Sequence, residues 1–382
     1  MKPRILACLL ACLLGLSLAL APAASRAAPE MKRVAAVAPE DGVIHEAFGF
    51  ADGGARLAYA RTDASGKTYL HVGPPGGKTS ATDISSFTHE PEKILFASGH
   101  WFVVTNEGSS RRAAVVGPTG RIENHVGAFG DCFVANVNGK TFATVTDKGE
   151  TAAGHAYSIA AYRPNGAPAG SKLVTIGPGG TMAGTGGLVF VAFSGGYLQA
   201  LVKKPGRYDA KADVRGGTDI AVWDVLSGKT GPAKKVTDIR AFLTLADKRG
   251  EKPGLEAFVR VDDEAGGLEL VGPGDKLRPL ALPTKFALYE AASLKQQPSA
   301  GQLFFSLTVD PLNPDQVAAQ KKGTRVLHLY EAGLGPAKAT LLGQVPLDDD
   351  TQSYSWAAGG NKIAVLTRAR ASGRNEIVVY AR

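Results

Sequence analysis

One repeated pattern limits what this chain can fold into. A short apolar run climbs to a bulky residue, breaks at a Gly- or Pro-rich turn, and returns as a strand of mixed polarity. The clearest copies are Thr68–Lys78 (TYLHVGPPGGK), Arg112–Arg121 (RAAVVGPTGR) and Leu268–Lys276 (LELVGPGDK). Looser copies surround Tyr162, Trp223 and Tyr330, and a seventh, around Tyr380, stops at Arg382. The residues before the turns are Val72, Val116, Tyr162, Trp223, Val271, Tyr330 and Tyr380, spaced 44, 46, 61, 48, 59 and 50 apart. A period near fifty made only of short strands predicts an all-β fold, a seven-bladed β-propeller of four-stranded antiparallel blades.

The remaining strands fall into register around these turns. Innermost strands are expected at Glu46–Ala51, Lys93–Ala97, Cys132–Val137, Leu188–Phe193, Ala241–Leu245, Phe286–Glu290 and Tyr354–Ala358. Second strands are expected at Leu57–Arg61, Trp101–Thr105, Phe142–Thr146, Leu198–Lys203, Ala257–Val261, Leu303–Thr308 and Ile363–Thr367. These runs are rich in β-branched and aromatic residues and are broken by Gly, Asn and Asp. Their continuous apolar character suits strands covered on both faces. The repeat around Tyr380 lacks a fourth strand, and Met31–Ala38 (MKRVAAVA) is a strand without a blade. Residues 31–38 are therefore expected to pair with the strand around Ile377–Tyr380, closing the ring and removing two exposed edges.

The first residues read as an export signal. Lys2 and Arg4 precede an apolar stretch from Ile5 to Leu20, followed by small residues at Ala21–Ala23 and Ser25–Ala27 that offer cleavage sites. The expected organisation is a signal peptide over 1–27 and one propeller domain over 28–382, periplasmic or extracellular, with no transmembrane segment in the mature chain. Cys12 follows Leu9-Leu10-Ala11 as a lipoprotein acceptor would. However, apolar residues continue eight positions beyond it, which counts against a lipid anchor. Removing 1–27 leaves only Cys132, so an internal disulfide framework is excluded, and its apolar flanks read as a buried thiol. The formal charge of +8 falls to +5 without Lys2, Arg4 and Arg26. Those charges are interspersed, which argues for solubility and against nucleic-acid binding.

Two runs resemble a known repeat. Phe50–Arg61 (FADGGARLAYAR) and Trp356–Thr367 (WAAGGNKIAVLT) look like the propeller repeat of TolB-like and WD-repeat-like bacterial proteins, in which a Pro-Asp-Gly turn precedes a Leu-Ala-Phe/Tyr strand. Ala51 replaces the proline before Asp52-Gly53, and the last copy has Ala358-Gly359-Gly360. The resemblance covers the first and last blades, implies a propeller, and transfers no catalytic residue.

Local motifs for chemistry fail one by one. Gly-Lys-Thr occurs at 66–68, 77–79 and 228–230, but a phosphate-binding loop needs a further Gly where Arg61, Val72 and Trp223 stand. No Gly-x-Ser-x-Gly elbow exists, and the seven histidines show no i, i+4 metal-ligand spacing. No cofactor and no metal are expected. Asp348–Asp350 reads as a solvated acidic turn, and Asp147–Thr151 as a hairpin loop. His71 and His328 sit in the strand before the turn, where they read as packing residues; Trp101, Trp223 and Trp356 read as packing between blades.

In a propeller, loops joining second to third strands and loops joining successive blades open on one face. The uniform Gly-Pro turns open on the other, which reads as structural. Two second-to-third connections are long: Lys204–Thr218, with Arg207, Tyr208, Asp209 and Arg215, and Val309–Thr324, with Asp310, Asn313 and Asp315. The blade-joining loop Ser85–Glu92 adds His89. These eight residues are the candidate binding set, because function concentrates on loops held by a rigid scaffold. The expected function is a monomeric module without catalysis that binds a protein, peptide or cell-envelope component. The alternatives are an envelope hydrolase or lyase with a central-channel site, which would leave no local motif, and a structural or sensory part of a larger complex.

Overall fold

A computed structural model describes residues 31–38, 42–97, 99–130, 132–135, 141–176 and 351–381, and the strand segments named below between 177 and 350. The described residues are strands joined by turns, with one 3-10 turn at Asp52–Gly54 and no α-helix. β1 is Lys32–Val37. The first sheet is β2 (Val43–Ala51), β3 (Arg56–Thr62), β4 (Thr68–Gly73) and β5 (Ser80–Asp83), hydrogen-bonded in chain order. The second is β6 (Pro91–Ala97), β7 (His100–Glu107), β8 (Ser110–Val116) and β9 (Ile122–Phe129). The third is β10 (Cys132–Ala135), β11 (Phe142–Thr151), β12 (Gly154–Tyr162) and β13 (Pro168–Ile176).

The same antiparallel order recurs beyond. Val191–Ser194, Tyr197–Lys203, Thr218–Asp224 and Lys234–Val236 form one sheet, with Thr181–Met182 also against Tyr197–Lys203. Phe258–Asp262, Gly267–Val271 and Leu277–Leu280 form a three-stranded sheet, and Lys295–Gln297, Gln302–Thr308, Arg325–Gly333 and Ala339–Leu347 a four-stranded one. The last sheet is Thr351–Gly359, Lys362–Ala369 and Asn375–Ala381, with β1 on its outer edge. The expected pairing of residues 31–38 with the final strand is present: Ala36 lies opposite Val378 and Val37 opposite Ile377. The innermost strands expected at Ala241–Leu245 and Phe286–Glu290 lie outside the described residues. The strand hydrogen-bonded to Gln302–Thr308 on that side is Lys295–Gln297.

Turn chemistry sets the hairpins. In the β3–β4 loop, Asp63 Oδ1 accepts the backbone N–H groups of Ser65 (2.8 Å) and Lys67 (3.0 Å), and Gly66 takes φ +83°. Asp147–Thr151, expected as a loop, instead extends β11, and the turn falls at Ala152–Ala153. A bulge between Asp147 and Gly149 absorbs the polar segment, with Gly149 at φ +82°.

Packing explains the unbroken apolar runs. On β7, Trp101 and Val103 point toward the first sheet, where they meet Ala58, Ala60 and Leu70. Phe102 and Val104 point the other way, toward Phe133 and Phe142 of the third sheet. Each strand residue thus has a neighbouring sheet to bury against, so period-2 polarity disappears. The rings of Phe102 and Phe142 are 4.4 Å apart and both are fully buried, each burial contributing about 1.5–3 kcal/mol. Trp101 and Trp356 are core residues, as expected; the side chains of Trp223 and Cys132 lie outside the described residues.

The first and last sheets pack face to face. Ile44, Leu57 and Tyr59 meet Ala364, Leu366, Ile377 and Val379, and Asn375 Nδ2 donates to the Ile44 carbonyl at 2.5 Å. The two Gly-Gly turns singled out in sequence touch each other here. A Cβ on Gly54 would lie 2.1 Å from the Gly359 oxygen, and one on Gly360 2.0 Å from the Gly53 oxygen. Lys362 Nζ donates to the Gly54 carbonyl at 3.1 Å. Only glycine allows two backbones this close.

Candidate functional site

One end of the first sheet collects the start of β2, the end of β3, the start of β4 and the end of β5. A hydrogen-bond chain runs across it. His45 Nε2 lies 2.7 Å from Thr62 Oγ1, Thr62 Oγ1 lies 2.8 Å from Thr68 Oγ1, and the Thr68 hydroxyl donates to the His89 carbonyl at 3.4 Å. Each hydroxyl has one proton, so the direction follows. Thr68 gives its proton to His89, Thr62 to Thr68, and His45 Nε2–H to Thr62. Burial pushes the His45 pKa below the ordinary imidazole value, with the Glu90 carboxylate opposing, and the net lowering favours the neutral ring. Ser85 extends the network, its Oγ accepting the Thr68 N–H at 2.9 Å and donating to Asp83 Oδ1 at 2.6 Å. The result is a loop pinned by its backbone with the His89 side chain exposed to solvent.

The neighbouring sheets use the same device. Thr105 Oγ1 meets Thr88 Oγ1 at 2.6 Å, and Thr146 Oγ1 accepts the Gly130 N–H at 3.1 Å. Arg111 clamps the joining loops, donating to Glu92 (2.7 Å) and to the Gly130 carbonyl (2.6 Å). A threonine closing the apolar run of the second strand (Thr62, Thr105, Thr146) is the sequence signal for this network, and its hydroxyl is structural, belonging to no reactive motif.

The β11–β12 hairpin, also a second-to-third connection, carries an ionic clamp. His155 Nε2 is 2.6 Å from Asp147 Oδ1 and Nδ1 is 3.1 Å from Glu150 Oε1. The hydrogen bond that His155 donates to Glu150, and then the one it donates to Asp147, raise the His155 pKa, with partial burial opposing. Among the described residues, no three His, Cys, Asp or Glu side chains are placed to hold a metal ion.

Of the eight candidate residues, three share one short ladder. Tyr208–Asp209 pairs with Val214–Arg215, placing Tyr208 directly opposite Arg215. Arg207, Asp310, Asn313 and Asp315 lie outside the described residues, as does Asp348–Asp350. Both long segments do connect second to third strands, since Tyr197–Lys203 pairs with Thr218–Asp224 and Gln302–Thr308 with Arg325–Gly333.

A cleft at the other end, beside a Gly-Pro turn, was not anticipated. It holds about 220 Å³ between Ala36–Ala38, the Tyr59 and Arg61 side chains of β3, and the turn Gly73–Gly77 with Thr79. His71, opposite Tyr59 in the β3–β4 ladder, stacks on it with centroids 5.1 Å apart and planes 7° apart, and its Nδ1 lies 3.4 Å from Thr79 Oγ1. His71 therefore packs, as expected, against Tyr59 and Thr79, two residues that line the cleft. Burial holds Tyr59 above the ordinary phenol value and His71 below the ordinary imidazole value. The hairpin centred on Ser65 pairs residue 59 with 71 and 61 with 69, so part of this group was readable once the turn was placed.

No family model matches the sequence, and no curated protein does. Among solved structures, the chain is similar to the β-propeller domain of the Trilobed protease from Pyrococcus furiosus, described as having an open velcro topology. The TM-score is 0.52 at 10% identity, over 89% of this chain and 96% of that one. It is also similar to an acylaminoacyl peptidase solved with Z-Gly-Gly-Phe-chloromethyl ketone, with a TM-score of 0.53 at 11% identity over 89% of this chain. The match spans about half of that peptidase, 51% of its length. At these identities the likeness concerns fold alone, and the fold is propeller-like.

Proposed function

We propose that residues 28–382 form a seven-bladed β-propeller, its ring closed by β1 on the final strand, that is exported and binds a protein, peptide or envelope component. The binding face is the loop end carrying His89, the Tyr208–Arg215 ladder with Arg207 and Asp209, and the segment with Asp310, Asn313 and Asp315. The carrying observation is a contrast between connections of the same kind. The β3–β4 and β7–β8 loops are tight turns, whereas the connections at 204–217 and 309–324 run to fourteen and sixteen residues. The first of these folds back on itself as a ladder. Long loops on a regular scaffold are where partners are met.

The test is a pull-down from envelope extract with the parent and a variant in which 204–217 is replaced by a short Gly-Ser turn. Loss of specific partners with unchanged melting supports the reading. Recovery of the same partners by both proteins refutes it. A hydrolytic or lyase activity surviving in both would transfer the function to a channel site.

A further inference from the structure

We propose that the β11–β12 hairpin is a proton-operated switch: protonated His155 ties its tip shut, and loss of that proton releases the Glu150 carboxylate into solvent. The switch is a property of this hairpin alone and does not depend on what the long loops bind.

The imidazole bridges a defect in the ladder. Glu150 pairs with His155 and Gly149 with Ala156, but the next pair is Asp147 with Tyr157, so Lys148 bulges out. His155 reaches across this bulge. Its Nε2 lies 2.6 Å from Asp147 Oδ1 on one side, and its Nδ1 lies 3.1 Å from Glu150 Oε1 on the other. An ionised carboxylate only accepts hydrogen bonds, so each contact needs a proton on the ring. The ring that makes both contacts is therefore the imidazolium. A neutral imidazole has one N–H. It can keep one carboxylate, but it turns a lone pair on the other at a distance where two acceptors repel.

The contact that yields is the one to Glu150. It is the longer of the two, and the Glu150 side chain is 61% exposed against 42% for Asp147, so its carboxylate rehydrates by rotating outward. Asp147 is held from a second direction, because its Oδ1 also accepts the Gly149 N–H at 2.6 Å. Beyond Glu150 the tip is closed by Thr151, whose hydroxyl donates to the Gly154 carbonyl at 2.6 Å and accepts the Ala153 N–H at 3.3 Å. Losing the Glu150 contact leaves that short turn tied only by its own threonine and the last pairs of the ladder. The charges acting on His155 are the Asp147 and Glu150 carboxylates of β11. On its own strand Tyr157 packs against the ring, with centroids 4.9 Å apart, and β13 sets uncharged Ile176 opposite it. Lys148, in the bulge, is exposed. Both carboxylates favour the charged ring, so the switch operates above the ordinary imidazole value of 6.5.

The experiment is NMR of the full chain at about pH 5.5 and about pH 9, either side of the His155 transition. It reads the protonation of the two His155 ring nitrogens and the amide exchange of the hairpin tip, expressed as protection factors so that the intrinsic pH dependence of exchange cancels. Both ring nitrogens are expected to carry protons at the lower pH and only Nε2 at the higher. Protection over Glu150–Gly154 is expected to fall by about two- to fivefold at the higher pH, the size an exposed ion pair supports. The β7–β8 turn, closed by the Glu107–Arg112 pair, which does not titrate in this range, is expected to stay unchanged. Two variants remove the switch in different ways. His155→Gln has no titrating ring, and Glu150→Gln offers an amide that can donate to the neutral Nδ1, so in both the protection should not change with pH. Glu150 is exposed, so its variant leaves the core untouched. A singly protonated ring at the lower pH, a proton on Nδ1 alone at the higher, or unchanged tip protection in the parent each overturns the assignment. So does an equal fall in the β7–β8 turn or the parent's pH dependence persisting in either variant.

Discussion

The contact between the two Gly-Gly turns allows a test with an internal control. Gly53 and Gly54 are neighbours, and both have positive φ, +63° and +90°. A Cβ at Gly53 meets nothing within 4 Å, whereas one at Gly54 would sit 2.1 Å from the Gly359 oxygen and 3.4 Å from Lys362 Cβ. Gly53→Ala therefore carries only the left-handed penalty, about 1–2 kcal/mol. Gly54→Ala carries that penalty and must also part the first and last sheets, an overpacking cost of about 1–3 kcal/mol. Its expected loss is about 2–5 kcal/mol. Gly360→Ala, aimed at the Gly53 oxygen from the other side at 2.0 Å, is expected to match it. The double variant Gly54→Ala/Gly360→Ala should lose less than the sum, because one separation relieves both clashes. Urea unfolding followed by tryptophan fluorescence measures all four, with Trp356, buried in the last sheet against Leu329 and Val345, as one reporter. Equal losses for Gly53→Ala and Gly54→Ala would refute the close approach and the docking of the two sheets through it.

Further outcomes follow from the same structure. Deleting residues 31–38 removes the β1 ladder and the buried Met31 and bares the edge of the final strand, so the truncated chain should melt lower and aggregate. Melting within about 2 °C of the parent without association would overturn that. Phe102→Ala should cost about 3–5 kcal/mol in urea unfolding, because the ring is fully buried between the second and third sheets. Since His155 has a raised pKa in the folded protein, its clamp should stabilise below the ordinary imidazole value near 6.5 and fade as pH rises through the folded value. The stability gap between the parent and His155→Gln should therefore be larger at about pH 5.5 than at about pH 9, and a pH-independent gap refutes the clamp. Histidine NMR should place His155 above, and His45 and His71 below, the ordinary midpoint.

Much of the architecture is local and so was legible in the chain. Turns such as Asp63–Lys67 and Pro74–Gly77 declare themselves through side-chain capping, fixed φ and glycine, and the apolar runs between them are strands. The partner of Met31–Ala38 was also readable, because one orphan strand and one incomplete repeat leave little choice. What needed three dimensions is which residues meet across sheets. Glu46 was the expected start of β2, but the strand begins at Val43. The polar His45 and a register shift between Ile44 and Phe48 hide its first turn of pairing. The Gly-Pro end looked uniform in sequence, yet β1 crosses it and, with Arg61 and Tyr59, encloses a cleft. Residues 36 and 61 are far apart along the chain and are joined only by how the last sheet lies on the first. Periodicity and turn chemistry act over a few residues, so the sequence alone determined strands, turns and their order. Contacts between side chains of different sheets depend on stacking distance and twist, so only the tertiary structure decided the His45–Thr62–Thr68 chain, the glycine seam and the cleft.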